Sequence, residues 1–183
     1  MGAIIEIYTD GACSQNGTWE GGWGFYNITH KYGCMGYEIK TTNNRMELTA
    51  VIKALQAIIL SEEFTRDQKL LKALDCNNIM EVKKVKIIIY TDSSYVANAY
   101  NKKWINNWKK NGWKNSKKET VKNKELWERL DSMVSKKEAF YTVEFVKVKG
   151  HSGILGNEMA DKLATTAIEK KLKEPMLITI VDL

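Results

Sequence analysis

Four acidic residues, spread over most of the 183-residue chain, could together hold metal ions: Asp10, Glu47, Asp92 and Asp161. Taken singly, each has an ordinary structural explanation. Asp10 precedes a glycine and could be a turn residue. Glu47 follows Asn44 by three positions, which is the spacing of a helix capping box. Asp92 could cap the helix after it, and Asp161 could be a solvated helical residue.

The predicted elements bring these carboxylates together. Asp10 ends the first predicted strand and Asp92 ends a buried one, and open α/β sheets bind ligands at the ends of their strands. Helices carrying Glu47 and Asp161 could close around the same point. Converging carboxylates repel one another unless cations hold them, and ligands that are all oxygen favour Mg²⁺ or Mn²⁺ over zinc. Two such ions, about 4 Å apart, could activate water and stabilise the leaving oxygen of a phosphodiester.

The apolar pattern predicts the elements that must position these residues. Three β-rich runs, at about 4–9, 22–29 and 32–39, are typical of an antiparallel meander. Apolar residues then recur at helical spacing from position 44, and 85–91 is an almost continuous apolar run, as in a strand buried on both faces. Further elements are predicted as a helix starting at 92–94, a helix at 125–136, a strand at 141–148 and a helix at 157–171. Helices packed on a mixed sheet, an α/β architecture, follow from this order.

Composition indicates one domain over residues 1–183, because this length with 44% apolar residues can bury a single core. The three cysteines are odd in number and form no C-x-x-C pair, so they are expected to be reduced thiols. Glu6 and Asp10 interrupt any apolar signal segment, and no apolar run approaches the roughly 20 residues that span a bilayer. We expect a cytoplasmic, monomeric protein without membrane association.

Positive charge is concentrated in one segment of the chain. The net charge is +6, and positions 102–124 hold nine lysines against a single acid. Trp104 and Trp108 share a helical face, and Trp113 follows a glycine that should stop the helix. One interpretation is a solvated lysine face over tryptophans that pack on the domain. In the other, the lysines neutralise nucleic-acid phosphates and the aromatic faces carry sugars or bases.

Five stretches of the sequence carry a resemblance to a known family. In chain order they are Tyr8–Cys13 (YTDGAC), Thr42–Leu48 (TNNRMEL), Tyr90–Ser93 (YTDS), Val148–Gly153 (VKGHSG) and Asn157–Ala164 (NEMADKLA). The chain resembles the type 1 ribonucleases H, close to the bacterial enzymes. A single T-D-G or T-D-S would mean little, whereas the five together are very specific.

The resemblance implies a ribonuclease H-like α/β fold, with a five-stranded mixed sheet built from a three-stranded antiparallel meander and two parallel strands. It implies an endoribonuclease that hydrolyses the RNA strand of RNA–DNA hybrids with two Mg²⁺ ions, Mn²⁺ being possible, and leaves 3′-hydroxyl and 5′-phosphate ends. The four acidic residues would then bind the metals. His151 would be the family's flexible histidine, moving a proton during product release, although a surface-loop histidine is the alternative. Glu158 would assist metal exchange.

The resemblance also implies a surface for the hybrid. It includes a basic handle for the DNA strand at Lys102–Trp113. Lys40, Thr42 and Asn123 match the family's DNA-phosphate pocket, in which Lys40 stands where an arginine is frequent. The 2′-hydroxyls of RNA would be contacted by Asn16, Asn43 and Asn44. The implied substrate-binding residues are Asn16, Lys40, Thr42, Asn43, Asn44, Lys102, Lys103, Trp104, Trp108, Lys109, Lys110, Trp113, Lys114 and Asn123.

Three features depart from the family's pattern. Ser94 stands where many relatives carry a glutamine that reads the minor groove of the hybrid. A segment inserted at about 61–84 enters on the far side of its strand from Asp92, so we expect it to spare the site. An apolar tail, 176–183, is expected to be an edge strand or a packing segment.

Two rival functions remain at this stage. Another nuclease of the same broad fold, such as a transposase, junction resolvase or exonuclease, would cut pure DNA. A hybrid-binding module without catalysis would need a broken acidic set, whereas all four carboxylates are present.

Overall fold

The computed structural model describes residues 3–14, 19–61, 85–136 and 141–179. Its strands are β1 (Ile4–Cys13), β2 (Glu20–Asn27), β3 (Tyr32–Ile39), β4 (Val85–Thr91), β5 (Tyr141–Lys147) and β6 (Met176–Thr179). Its helices are α1 (Asn43–Ile59), α2 (Ser94–Asn101), α3 (Trp104–Lys110), α4 (Lys124–Val134) and α5 (Leu155–Lys170). The six strands form one mixed sheet in the order β5-β4-β1-β2-β3-β6.

The predicted meander and parallel strands are confirmed. β1, β2 and β3 pair antiparallel in sequence, and β4 lies parallel to β1. β5 continues the parallel part of the sheet on the other side of β4. The β1–β4 register sets Thr9 opposite Thr91, so the residues that follow them, Asp10 and Asp92, come from neighbouring parallel strands. The sheet itself therefore places two of the predicted metal ligands side by side.

The prediction of five strands was wrong, because the apolar tail adds a sixth. β6 pairs antiparallel with the first half of β3, from Met35 opposite Met176 to Tyr32 opposite Thr179. A three-stranded meander would leave the backbone groups of β3 unpaired at an edge, and the tail satisfies part of that edge. The tail is thus an edge strand over its described part. Residues 180–183 and positions 62–84 of the inserted segment lie outside the described residues.

Both faces of β2 are covered. Trp23 and Phe25 belong to the main core with α1, whereas Tyr26 belongs to a smaller cluster with α5. Because side chains alternate across a strand, Gly22 and Gly24 share the face of Tyr26, and a Cβ at either would overlap backbone atoms of α5. These glycines let α5, which carries Asp161, lie directly against the sheet. No helix in the described part of the chain is long and apolar enough to cross a membrane.

Candidate active site and metal centre

Asp10 is the most central of the candidate ligands. It lies inside β1 and pairs with Gly24 of β2, so it neither occupies a turn nor ends the strand, which continues to Cys13. Its side chain is buried, and its Oδ1 accepts a hydrogen bond from the backbone N–H of Gly11 at 2.8 Å. The ordinary explanation of Asp10 as a turn residue is therefore excluded.

Neither Glu47 nor Asp92 caps a helix, because other side chains do so. Thr42 is the N-cap of α1, with its Oγ1 accepting from the N–H of Arg45 at 3.4 Å, so Glu47 lies beyond the capping-box position. Ser93, rather than Asp92, caps α2 by accepting from the N–H of Val96 at 3.4 Å. Glu47 is buried and Asp92 is half-buried, so both carboxylates remain available to the site.

The four predicted carboxylates converge. Asp10, Glu47 and Asp92 each offer an oxygen within 4.8 Å of the others, and His151, Glu158 and Asp161 form a second such group. Asp161 links the two groups, because its carboxylate is close enough to that of Asp10 to raise the pKa of Asp10. The structure thus brings together β1, α1, the end of β4 and α5, as the sequence predicts.

Burial and mutual repulsion disfavour the charged forms of these carboxylates when no cation is bound. Burial raises the pKa of Asp10 to about 8, helped by the neighbouring charges of Asp92 and Asp161. Burial also raises the pKa of Glu47 well above its ordinary value, again with a contribution from Asp10 and Asp92. Metal-free protein therefore binds protons here at neutral pH, and a bound cation would replace them.

Two buried oxygens, one in the cluster and one on the neighbouring Asn157, lack a hydrogen-bond partner in the described part of the chain. They are Glu47 Oε2 and Asn157 Oδ1. The amide nitrogen of Asn157 lies 3.5 Å from Asp92 Oδ2 and can donate a hydrogen bond to it, which helps to orient that carboxylate. Buried polar atoms without partners are costly, and oxygen ligands suit hard divalent cations. The residues present therefore fit divalent metal ions, because hydrogen bonds within the protein leave some of their oxygens unsatisfied.

Two glycines next to site residues allow close contacts within the site. A Cβ at Gly11 would overlap the backbone nitrogen of Glu47. A Cβ at Gly150 would lie 2.4 Å from Asp92 Oδ2, so a side chain there would displace the Asp92 carboxylate. Both close approaches join segments far apart in sequence. The glycines after Asp10 and before His151 thus belong to the geometry of the site.

Comparison with known proteins agrees with this arrangement. A sequence model of the RNase H family matches residues 3–169, which include all four carboxylates. The chain belongs to the RNase H family. It is thereby a hydrolase of the ribonuclease H type, and this membership favours it over the DNA-cutting rivals of the same broad fold.

Individual relatives cover nearly the whole chain. A ribonuclease H of Clostridium botulinum is 45% identical over 171 residues, covering 91% of this chain and 96% of the relative. A ribonuclease H of Acetivibrio thermocellus is 41% identical, covering 93% and 98%. Among solved structures, the chain is similar in fold to LC9-RNase H1, described as a type 1 RNase H with the type 2 active-site motif. That likeness has a TM-score of 0.71 at 24% identity and covers 99% of this chain and 79% of the other.

The loop that carries His151 lies beside Glu158 and Asp161. His151 is exposed and has a left-handed backbone, with φ of 48°, and Gly153 has φ of 78°. Glu158 accepts a hydrogen bond from the N–H of Gly153 at 3.3 Å, and Ser152 donates to the carbonyl of Lys149 at 2.6 Å. Glu158 therefore restrains the loop that carries His151, a contact that the sequence did not predict.

The basic handle of this RNase H is anchored by its tryptophans. Trp104, Trp108 and Trp113 are half-buried, and Trp108 lies between the other two with ring centroids 6.2 and 6.4 Å away. Trp108 also meets the buried Trp127 of α4 edge-on at 5.5 Å. Gly112, with φ of 64°, follows α3 as expected for a helix stop. The packing interpretation thus holds for these three side chains, and their contact with nucleic acid stays a prediction.

The lysines of the handle differ from one another. Lys109 points back to α4, where its Nζ lies 2.6 Å from Oδ2 of the buried Asp131. The side chain of Lys109 is nevertheless 45% exposed, so its ion pair is what sets it apart. The other lysines of the handle and the one just after it are exposed and form no ion pair with a described residue: Lys102, Lys103, Lys110 and Lys114. Asp131, which the sequence analysis did not single out, pairs with Lys109 and thereby attaches the handle to α4. The remaining lysines face solvent.

The remaining predicted contacts gather around the start of α1. Asn43, Asn44 and the preceding Lys40 are exposed there, and Ser94 is exposed at the start of α2. Asn123 immediately precedes α4 and is linked to the start of α1 through Arg45, whose Nη1 lies 3.3 Å from Asn123 Oδ1. Asn16 lies outside the described residues. Arg45 was absent from the predicted pocket, although it stands between two of its members.

Proposed function

We propose that this chain is an endonuclease that hydrolyses the RNA strand of RNA–DNA hybrids with two divalent cations, Mg²⁺ or alternatively Mn²⁺. The products would carry 3′-hydroxyl and 5′-phosphate ends, and residues 1–183 would act as one catalytic domain. The carrying observation is the convergence of Asp10, Glu47, Asp92 and Asp161 in a site with unbalanced negative charge. Membership of the RNase H family supports the choice of substrate.

In the proposed mechanism, the four carboxylates would hold the cations. Bound cations would lower the pKa of a water molecule and offset negative charge on the leaving oxygen. The surrounding residues supply geometry. Gly11 lets α1 approach β1, which sets Glu47 beside Asp10. Asn157 orients Asp92. His151, which is exposed beside Asp161 and Glu158, would move a proton as the product leaves.

The proposed substrate contacts divide between the two strands. Asn43 and Asn44, exposed at the start of α1, would meet 2′-hydroxyls of the RNA, and Asn16 would do the same. Lys40, Thr42 and Asn123 would receive a phosphate of the DNA strand. The exposed handle lysines would neutralise further DNA phosphates, with the tryptophans holding the handle in place.

Substrate choice can be tested with labelled hybrid, duplex DNA and duplex RNA of one sequence, each incubated with Mg²⁺ and with EDTA. We expect cleavage of the RNA strand of the hybrid alone, and only with Mg²⁺, because the contacts need 2′-hydroxyls on one strand and the chemistry needs the cation. Cleavage of duplex DNA would favour the rival nuclease. Binding of the hybrid without cleavage in Mg²⁺ would favour the non-catalytic module.

The two kinds of handle lysine predict different responses to substitution. Lys110→Gln should reduce the slope of log binding constant against log salt concentration by up to about 0.9, the value for one phosphate contact. Lys109→Gln should change this slope little, because Asp131 already neutralises that lysine, and should lower the melting temperature by leaving a buried carboxylate unpaired. Hybrid binding by fluorescence anisotropy over a range of salt, with thermal melts, measures both. Equal slope changes in the two variants would contradict the assignment.

A further inference from the structure

An ion pair occupies the middle of the proposed DNA-phosphate pocket. Nη1 of Arg45, on α1, lies 2.5 Å from Oε1 of Glu125 in the first turn of α4. The Arg45 side chain is 32% exposed and that of Glu125 is 62% exposed. The guanidinium holds the pKa of Glu125 below its ordinary value, so the carboxylate is charged at neutral pH. A negative group thus faces the place where a DNA phosphate is proposed to bind.

The frame around this ion pair is braced by hydrogen bonds. Asn123, in a left-handed conformation with φ of 58°, contacts Arg45 through Oδ1 and donates from Nδ2 to the hydroxyl of Tyr95 at 3.4 Å. That hydroxyl also accepts from Nε1 of Trp127 at 2.9 Å and donates to the carbonyl of Lys122 at 3.0 Å. Glu125 is the exposed member that can turn away without disturbing this network.

The pocket is built to receive an anion. The N-terminal ends of α1 and α4 meet here, each with a partial positive charge, and the guanidinium lies between them. Arginine pairs well with phosphate oxygens, and exposed ion pairs in water are weak. A phosphate held by many other contacts along the hybrid can therefore displace the carboxylate from Arg45.

We propose that Glu125 is an internal competitor for DNA phosphate, occupying Arg45 until a phosphate of the bound DNA strand replaces it. This inference rests on the proposed function, since it presumes that a hybrid binds across this pocket. The exchange makes Arg45 an additional phosphate ligand and makes Glu125 a residue that weakens binding. A carboxylate released from Arg45 takes up a counterion from solution, so the exchange contributes little to the salt dependence of binding.

The test compares wild type, Glu125→Gln, Arg45→Gln and the double variant. Anisotropy of a fluorescent RNA–DNA hybrid is measured in EDTA, where cleavage is not expected, over a range of salt. Glu125→Gln should bind about two- to fivefold more tightly at low salt, as expected for removal of an exposed competing ion pair. Its salt dependence should be steeper by about 0.9 in slope, because the counterion that Arg45 displaces from the DNA phosphate is then no longer offset by one taken up by Glu125. Arg45→Gln should weaken binding and cancel both effects in the double variant.

Glu128→Gln is the matched control, because it removes the same charge one turn along α4, where the carboxylate pairs with Lys124 at 3.6 Å instead of Arg45. It should change affinity less than Glu125→Gln does and should leave the slope unchanged. Weaker binding by Glu125→Gln would show that Glu125 positions Arg45, and an effect equal to that of the control would show a general charge effect. Either result overturns the inference.

The same measurements separate this inference from the proposed function. Wild-type protein that neither binds the hybrid nor cleaves it in Mg²⁺ would remove the proposed function and the inference with it. Wild-type protein that binds and cleaves, together with a Glu125→Gln variant that binds no more tightly, would remove the inference alone. Thermal melts of each variant keep a loss of folding apart from a loss of binding.

Discussion

Asp10→Asn is expected to lower Mg²⁺-dependent cleavage of the hybrid by about a thousandfold or more while hybrid binding is retained. Asp10 contacts both groups of ligands, Glu47 with Asp92 on one side and Asp161 on the other. Asparagine keeps the shape but removes the charge that holds cations. Losing several kcal/mol of charge stabilisation corresponds to a rate loss of this size. Initial rates on a hybrid labelled in its RNA strand measure it, with binding followed by anisotropy.

Two further variants make this result specific. Asp92→Asn should behave like Asp10→Asn, because the β1–β4 register places the two carboxylates side by side. Glu6→Gln is the control, since Glu6 lies on the same strand but contacts the hydroxyl of Tyr90, 2.7 Å away. It should keep cleavage near the wild-type rate. Activity of Asp10→Asn within tenfold of wild type would contradict the role of the carboxylates.

Metal-free protein is expected to lose stability as the pH rises from about 4 to about 8. The pKa of Asp10 is about 8 in the folded protein and 3.8 as its reference value, so between these pH values the folded state holds a proton that the unfolded state has released. Stability is therefore fully present below the reference pKa, falls through this window and is flat above it. At about 1.4 kcal/mol per pH unit the loss reaches up to about 6 kcal/mol.

Asp10→Asn should stabilise the metal-free protein at high pH, because it removes the buried carboxylate charge. The variant should melt roughly 10 °C above wild type at pH 8 in EDTA, and close to wild type at pH 4. Thermal melts of wild type, Asp10→Asn and Glu6→Gln across this range test the effect. Adding Mg²⁺ or Mn²⁺ should narrow the gap at pH 8, because a cation replaces the proton. Parallel pH dependence in wild type and Asp10→Asn would argue against a strained carboxylate cluster.

These expectations share one physical cause. The site concentrates charge that the folded protein alone cannot neutralise, so it costs stability until cations bind. A single substitution at Asp10 is then predicted to stabilise the protein and abolish its activity. This opposition between stability and activity is expected wherever a site is kept destabilised for function.

The central pair of carboxylates could be predicted from the sequence, because strand patterning and parallel pairing decide which residues emerge together. The run at 85–91 signals a buried strand, and the register then sets Asp92 beside Asp10. The capping-box explanation of Glu47 was wrong for a local reason. Thr42 accepts the capping hydrogen bond, which shifts Glu47 beyond the first turn and onto the buried face of α1.

Other features depend on contacts that spacing along the chain does not encode. A short apolar segment after a proline can be an edge strand or a packing segment, and β6 is decided by the open edge of β3. The Lys109–Asp131 pair joins residues 22 apart, and the Arg45–Glu125 pair joins residues 80 apart. The latter sets the start of α1 against that of α4, so the pocket between them could be located only from the packed helices.

The acidic cluster is proposed to be a divalent-metal site, and metal binding can be measured directly. Calorimetric titration of Mn²⁺ into metal-free wild type, Asp10→Asn, Asp92→Asn and Glu6→Gln, in buffers of different ionisation enthalpy, tests this claim without any nucleic acid. We predict saturable binding with proton release by wild type and Glu6→Gln, and loss of both in Asp10→Asn and Asp92→Asn. Wild-type-like Mn²⁺ binding by Asp10→Asn and Asp92→Asn would contradict it.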